Sequence, residues 1–183
     1  MPPALPSPAD VVAFWTAAGP RNWFRKDDGF DRDFRERFLP AHEAAARGEL
    51  DGWAMTSEGA LALLVLLDQF PRNAFRGTPR VFATDGRARA VARQAIAAGL
   101  DRQQPDTGLR NFFYLPLMHS EDLADQDRAL ELCAQLGTDA AHHASVHRDI
   151  IERFGRFPHR NAWLGRATTA EEQAFLDSGG FAG

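Results

Sequence analysis

The feature that most constrains the fold is the spacing of apolar residues, which recur every three to four positions along most of the 183 residues. Such spacing is typical of one face of an α-helix, whereas a half-buried strand alternates apolar and polar residues. No stretch of four to eight residues alternates strictly. We therefore predict an all-α fold of about seven helices. Because no low-complexity linker interrupts the pattern, we predict one domain over residues 1–183.

Residues typical of helix starts and ends mark the predicted helices. Ser7 and Pro8 open the first helix, and Gly19-Pro20 ends it. Thr56 opens a very apolar helix that Pro71 ends, because proline has no N–H to continue the hydrogen bonding. Between them and after them we predict a helix over residues 31–47 with a kink or break at Pro40, a helix over 85–98, and a short helix or buried turn over 111–118. A further helix is capped by Ser120 and ended by Gly137, and another covers 139–154. A last helix starts with a capping box over 168–171, and residues 179–183 form a loose tail.

Composition excludes several classes of protein. The 21 basic and 25 acidic residues give a net charge of −4, which does not suit a general nucleic-acid binder. Cys133 is the only cysteine, so the chain has no internal disulfide and no multi-cysteine zinc site, and we predict that Cys133 is a small core residue. Residues 1–6 do not resemble a secretory signal, and the longest apolar run, residues 60–67, is shorter than a membrane span of about 20 residues. We predict a cytoplasmic protein without membrane or nucleic-acid partners.

Two short stretches resemble each other. Residues 69–77 and residues 156–165 each place Phe-Pro at a predicted helix end, followed by an Arg-Asn pair, alanine, an aromatic residue and glycine. Proline stops regular helical hydrogen bonding, so arginine and asparagine donors in the following turn can converge on an anion or on free carbonyls. We predict that the two turns meet in one cleft.

Longer motifs give the chain a family resemblance. Three of them are the pairs Phe14-Trp15, Trp23-Phe24 and Phe30-Asp31, and four longer ones cover residues 48–53, 61–73, 112–122 and 147–161. On these motifs the chain resembles the bacterial DUF924 family, whose fold is tetratricopeptide-like and α-helical and which has no established activity. The resemblance implies a tetratricopeptide-like array or bundle of helical hairpins, and it leaves the function open.

Several charged residues stand where a structural role and a functional role both fit. Asp68 ends an apolar helix, where the helix dipole disfavours a carboxylate unless a cation faces it. Arg156, His159 or Arg160 could supply that cation, either as a structural ion pair or as part of a pocket. His119 and Glu121 precede a predicted helix, where free N–H groups favour an anion, and the two could also form an acid–base pair.

The histidines and the C-terminal arginines offer further alternatives. His143 and His147 lie four residues apart, a spacing that permits a shared metal ion, although without an HExxH pattern a packed or hydrogen-bonded His147 is the better interpretation. We predict no metal site and no cofactor. The basic residues Arg153, Arg156, Arg160 and Arg166 could bind an anion or pair with acidic residues such as Asp122 and Asp149.

We combine these residues into one polar pocket that binds a small anionic ligand or an acidic peptide end. Its predicted members are Asp68, Arg72, Asn73, His119, Glu121, His147, Arg156, His159, Arg160 and Asn161. Two alternatives stay open. In the first, the same pocket belongs to a hydrolase or transferase, with His119, Glu121 and His159 as catalytic candidates. In the second, these residues only join helices, and the protein is a repeat-type interaction scaffold. The sequence does not predict the oligomeric state.

Overall fold

The computed structural model describes residues 4–181, and all regular elements in that range are helical. Seven of the described α-helices have eight or more residues, which confirms the predicted fold class and is close to the predicted number. The α-helices are α1 (Pro8–Ala18), α2 (Pro20–Trp23), α3 (Asp28–Ala46), α4 (Ser57–Leu64), α5 (Phe70–Ala74), α6 (Asp85–Ala97), α7 (Thr107–Arg110), α8 (Leu115–Met118), α9 (Leu123–Cys133), α10 (Thr138–Phe154) and α11 (Ala170–Asp177). Short 3₁₀ helices are Asp51–Met55, Pro79–Phe82, Asp101–Gln103, Asn111–Phe113 and Pro158–Arg160, and Val65–Gln69 is a π-helical turn.

The chain divides into two compact units. The first contains the chain up to Arg76 together with Arg80–Pro116, and the second contains Gly77–Pro79 and the chain from Leu117 onward. The prediction of a single domain over residues 1–183 stays a prediction, as does the tetratricopeptide-like arrangement.

The first unit is built around α4, in which every residue from Gly59 to Leu64 is buried. Helices α1, α3 and α6 supply residues to the surrounding core, including Trp15 and Phe34. Trp23 also packs there, and its indole N–H donates to the carbonyl oxygen of Trp15 over 2.7 Å. The most apolar helix predicted from the sequence is therefore the central helix of its unit, as a helix without a polar face requires.

The second unit is built on a hairpin of α9 and α10. Only four residues separate the two helices, and the Arg148 Nε donates to Asp127 Oδ1 over 2.6 Å between them. Ile150, Ile151 and Phe157 are the buried centre of an apolar cluster in this unit. Cys133 is fully buried, and burial raises the pKa of its thiol to about 12, as expected for a small core residue.

Two predicted helix starts are confirmed. Ser7 and Asp10 form a reciprocal capping box at the start of α1, with Pro8 in the first turn, and Gly19 ends the helix. The Thr56 side chain accepts a hydrogen bond from the Gly59 N–H at the start of α4. Caps of this kind are short-range and so can be predicted from sequence.

The helix ends predicted at Pro40 and Pro71 are wrong, while the alternative of a kink at Pro40 stays a prediction. Helix α3 continues through Pro40, and the residues on both sides, such as Phe38 and Ala41, are buried, so packing compensates for one missing hydrogen bond. Pro71 does not end its helix either, because it lies in the first turn of α5 directly after the π-helical turn. The carbonyl of Leu67, which a residue with an N–H at position 71 would bond, instead accepts the Thr84 hydroxyl over 2.5 Å.

Two predicted caps are also displaced along the chain. Asp122, rather than Ser120, caps α9, because its side chain accepts from the Ala124 N–H. The last helix has its capping box between Thr169 and Glu172, one residue later than predicted. In the tail, Ala182 and Gly183 lie outside the described residues. None of the helices within residues 4–181 has the length and apolar character that crossing a bilayer requires.

Candidate functional site

The ten residues predicted to line a pocket lie in both units. Asp68, Arg72 and Asn73 belong to the first unit, and the other seven belong to the second. The prediction that the two Phe-Pro turns share one cleft stays a prediction. Within the second unit, the turn before α9 and the turn after α10 are brought together, and that group forms the candidate site.

In the first unit, Arg72 is bound by carboxylates from its own helix end and from α6. Its Nη1 donates to the Asp68 carbonyl over 2.7 Å and lies 3.2 Å from Asp68 Oδ1. Its two terminal nitrogens, Nη1 and Nη2, donate to the Asp85 carboxylate over 2.9 and 3.2 Å. Burial alone would lower the pKa of Arg72, but Asp68 and Asp85 raise it above its ordinary value. The residue is therefore a fixed cation that joins two helices.

Asn73 also connects elements of the first unit. Its Nδ2 donates to Asp31 Oδ1 over 2.7 Å, and Arg76 Nε donates to Asp31 Oδ2 over the same distance. Thus the amide and guanidinium groups that follow Pro71 contact carboxylates of α3 and α6.

In the second unit, Glu121 joins the two turns. Its carboxylate accepts from the Phe157 N–H over 2.8 Å and from both terminal nitrogens of Arg166, over 2.7 and 3.0 Å. Burial opposes ionisation, but these hydrogen bonds outweigh it, and the pKa of Glu121 lies below its ordinary value. Glu121 is thus an ionised structural anchor, and its principal partner is Arg166 rather than a histidine.

The backbone of the turn before α9 is held by two further side chains. Arg160 Nη2 donates to the His119 carbonyl over 3.0 Å. Gln126 Nε2 donates to the carbonyls of Met118 and Ser120, over 2.7 and 2.6 Å. These contacts fix the position of the backbone from which the His119 side chain extends. Nothing in the sequence around Gln126 indicates this role, because it depends on how α9 returns past the turn.

A second carboxylate, Glu172, organises the turn after α10. It is 2% exposed, and its oxygens accept from Arg156 over 2.6 and 2.9 Å and from Asn161 Nδ2 over 3.2 Å. The Arg156 hydrogen bond, together with the Thr169 N–H, lowers the pKa of Glu172 to about 2. Sequence reasoning missed Glu172 as a site residue, although the capping motif read one residue later would have indicated it.

Two imidazoles lie against two phenylalanine rings in the same unit, and a third imidazole lies beside one of them. The His147 ring centroid is 6.3 Å from that of His119, 5.7 Å from Phe157 and 4.5 Å from Phe181. His159 lies 5.6 Å from Phe157 and 5.3 Å from Phe181. We call the group formed by His119, His147, His159 and Arg160 the histidine–arginine cluster.

Arg160 completes the cluster as a cation with little access to solvent. It is 7% exposed, and its Cζ lies 4.6 Å from the centroid of the Phe157 ring. The ring face and the His119 carbonyl together fix the plane of the guanidinium. A planar guanidinium in a fixed position is well suited to a carboxylate or a phosphate.

His147 is neutral in this environment. Burial lowers its pKa to about 4, and the neighbouring His119 adds to the effect. Its Nδ1 lies 2.8 Å from the carbonyl oxygen of His143, and since a carbonyl only accepts, Nδ1 carries the proton and Nε2 is an acceptor. The contact between His143 and His147 is thus backbone-mediated, as in the packed interpretation of the pair. Within residues 4–181, no three His, Cys, Asp or Glu side chains are grouped so that they could hold a metal ion.

The fold and the cluster define a class: an all-helical protein whose second unit carries buried or partly buried histidines and a buried arginine beside aromatic rings. The chain belongs to the DUF924 family, described as a bacterial protein of unknown function, whose profile matches residues 11–180. This confirms the family resemblance. The chain is similar to the solved "Structure of Protein of Unknown Function ATU0120 from Agrobacterium tumefaciens", with 56% identity, a TM-score of 0.91 and coverage of 93% of this chain and 97% of the other. No curated protein matches the sequence.

Proposed function

We propose that the protein binds a small anion, a phosphate or a carboxylate, at the histidine–arginine cluster of its second unit. The observation that carries the proposal is the grouping of a fixed, 7% exposed guanidinium with the imidazoles of His147 and His159 around the Phe157 ring, and with that of His119 beside His147. Guanidinium and imidazole N–H groups are the donors that bind oxyanions most strongly, above all where water is scarce.

Two carboxylates next to the cluster are already paired with cations. Glu121 is paired with Arg166, and Glu172 is paired with Arg156. Their negative charges are therefore balanced locally, and the arginines that balance them also hold the turns in place. Pairing reduces the repulsion that Glu121 and Glu172 would exert on an incoming oxyanion.

The cluster also offers an acceptor, which favours a ligand that carries a hydroxyl group. His147 Nε2 accepts because the ring is neutral, with its proton on Nδ1. A monoprotonated phosphate or a hydroxy acid would supply both an oxyanion and a hydroxyl donor.

Binding fits the geometry better than acid–base catalysis does. A general base works best when its pKa lies near the working pH, and the pKa of His147, about 4, is too low. Glu121 already accepts three hydrogen bonds and pairs with Arg166, so it does not orient a histidine. The catalytic assignment of His119, Glu121 and His159 stays a prediction.

The test is a comparison of thermal unfolding with and without inorganic phosphate. A ligand that binds only the folded state raises the unfolding temperature, and the rise grows with the ratio of ligand concentration to Kd. We expect phosphate to raise the unfolding temperature of the wild type but not that of Arg160→Gln. The matched control is Arg128→Gln in the same unit, since Arg128 is half-exposed and pairs with Glu131 outside the cluster.

A second variant keeps the test informative if Arg160→Gln unfolds. His159 is only partly buried, so His159→Gln should fold and should weaken phosphate binding several-fold. An undiminished phosphate effect in both variants would refute the proposed site. If phosphate, acetate and hydroxy acids all fail to stabilise the wild type, the anion-binding function is wrong and the scaffold alternative gains support.

A further inference from the structure

The aromatic ring of Phe181 lies against the histidine–arginine cluster although it belongs to the chain beyond α11. Its centroid is 4.5 Å from that of His147, 5.3 Å from His159 and 6.5 Å from Phe157. The three neighbours are planar rings, so the space that the phenyl group fills is an aromatic-lined slot. Planar rings packed at these distances and at tilted angles attract one another.

The position of Phe181 follows from the end of α11. Gly179 has φ of +80°, and its N–H donates to the Leu176 carbonyl over 3.1 Å. The Gly180 N–H donates to the Phe175 carbonyl over 3.0 Å, which completes a Schellman motif. This motif turns the chain sharply after the helix. Because Glu172 anchors α11 to the turn after α10, the turned chain delivers Phe181 to the cluster.

The side chain of Phe181 is held there by packing alone. Among the described residues, none forms a hydrogen bond with Phe181, and its ring is only partly buried. A ring with only such contacts can be exchanged for another ring of the same size, because aromatic packing does not depend on covalent attachment.

The slot and the anion site border the same phenyl group. Arg160 Cζ lies 4.6 Å from the centroid of the Phe157 ring, and the centroid of the Phe181 ring lies 6.5 Å from the same Phe157 centroid. One small molecule with an acidic group and an aromatic ring would therefore be able to contact the guanidinium and to fill the slot together.

We propose that Phe181 occupies a subsite for the aromatic ring of the ligand, and that this ring replaces the Phe181 side chain between His147 and His159. The ligand is then an aromatic anion, an aryl phosphate or an aromatic carboxylate. This inference rests on the proposed anion-binding function, because the acidic group must bind at Arg160. It adds the chemistry of the rest of the ligand.

The experiment compares phenyl phosphate with inorganic phosphate by calorimetric titration of the wild type and of Phe181→Ala. The wild type has to displace the Phe181 ring before it binds the phenyl group, whereas the variant does not. We expect phenyl phosphate to bind the variant about tenfold more tightly than the wild type, the effect of a modest aromatic packing energy. Inorganic phosphate should bind both proteins equally within about twofold.

The controls separate this inference from the proposed function. Phe24→Ala removes a phenyl group that is 66% exposed in the first unit, and it should behave as the wild type does. If inorganic phosphate binds and Phe181→Ala leaves phenyl phosphate binding unchanged or weakens it, the subsite is wrong and the anion site survives. If neither compound binds the wild type or the variant, the proposed function is wrong as well. Circular dichroism checks that each variant is folded.

Discussion

At the scale of single residues, the second unit shows how a buried carboxylate is made tolerable. Glu172 receives hydrogen bonds from a guanidinium, an amide side chain and a backbone N–H, and it remains ionised with a pKa of about 2. Removing such a centre leaves its donors without partners in a place where water cannot replace them. Its neighbour Glu171 pairs with Arg153 at the exposed surface, where water and ions screen the attraction.

We expect Glu172→Ala to destabilise the fold by roughly 3 kcal/mol, the cost of breaking a buried ion pair from one side. Glu171→Ala should cost less than about 1 kcal/mol, because exposed ion pairs contribute little. Urea unfolding of both variants measures the difference. Equal losses in the two variants would show that Glu172 is not the organising residue of the turn after α10.

Sequence reasoning found the donors of this site but not their partners. Arg156 and Asn161 are recognisable because they flank the Phe157-Pro158 pair, and the second unit places both against Glu172. The identity of the acceptor depends on a separate helix, α11, which begins at Ala170. A shift of one residue in the predicted capping box was enough to select Glu171 instead of Glu172.

At the scale of secondary-structure elements, local signals predicted helix ends well where the partner was local. Ser7 and Thr56 bond N–H groups three residues away, and both caps are confirmed. Pro71 was mispredicted because its missing hydrogen bond is replaced from a distance: Thr84 donates to the Leu67 carbonyl. His42 Nδ1 likewise lies 2.9 Å from the carbonyl oxygen of Leu66, which belongs to the π-helical turn. Contacts that are 17 and 24 residues apart in sequence cannot be derived from a local pattern.

The end of α10 provides a test of an element boundary. Gly155 has φ of +68°, in the left-handed region, and its N–H donates to the Ile151 carbonyl over 2.8 Å. A Cβ there would meet no neighbouring atom, so the cost of Gly155→Ala is conformational and amounts to about 1 kcal/mol. Gly86 in α6 is exposed, helical and equally free of neighbours, so Gly86→Ala should stabilise the protein by about 0.5 kcal/mol. Urea unfolding gives both values, and opposite signs are the expected result.

At the scale of the whole molecule, the sequence determined the class of fold and the type of residue in the site better than it determined contacts. Helical periodicity is present in most segments, so the all-α fold could be predicted from it, whereas the family was predicted from the resemblance of longer motifs. The histidine–arginine cluster requires three separate segments to meet: the turn before α9, the body of α10 and the turn after α10. The chain after α11 adds Phe181 beside it. Phe181 had no recognisable signal, because a tail containing three glycines predicts a loose end rather than a packed ring.

Acid stability of the whole molecule tests the environment of the cluster. His147 has a folded pKa of about 4 against an ordinary value of 6.5, so the unfolded chain binds a proton more readily than the folded protein does between these pH values. Its contribution to stability is therefore fully present above pH 6.5 and decreases as the pH falls, by about 2 to 3 kcal/mol at pH 4.5. The groups that act on its charge are His119, His143 and Arg160. A variant that cannot be protonated at this position should not show this part of the loss.

We expect the free energy of unfolding of His147→Gln to fall less than that of the wild type between pH 7 and pH 4.5, by about 2 to 3 kcal/mol. His142→Gln is the matched control, because His142 is exposed on the same helix and should follow the wild-type curve. Glu172 does not interfere with the comparison, since it is present in all three proteins and its own stabilisation is lost mainly below its ordinary value of 4.5, as the pH falls towards about 2. Urea unfolding at several pH values provides the measurement. Parallel curves for His147→Gln and the wild type would mean that His147 is hydrated in the folded protein, and the cluster would then lack the dry environment on which tight anion binding depends.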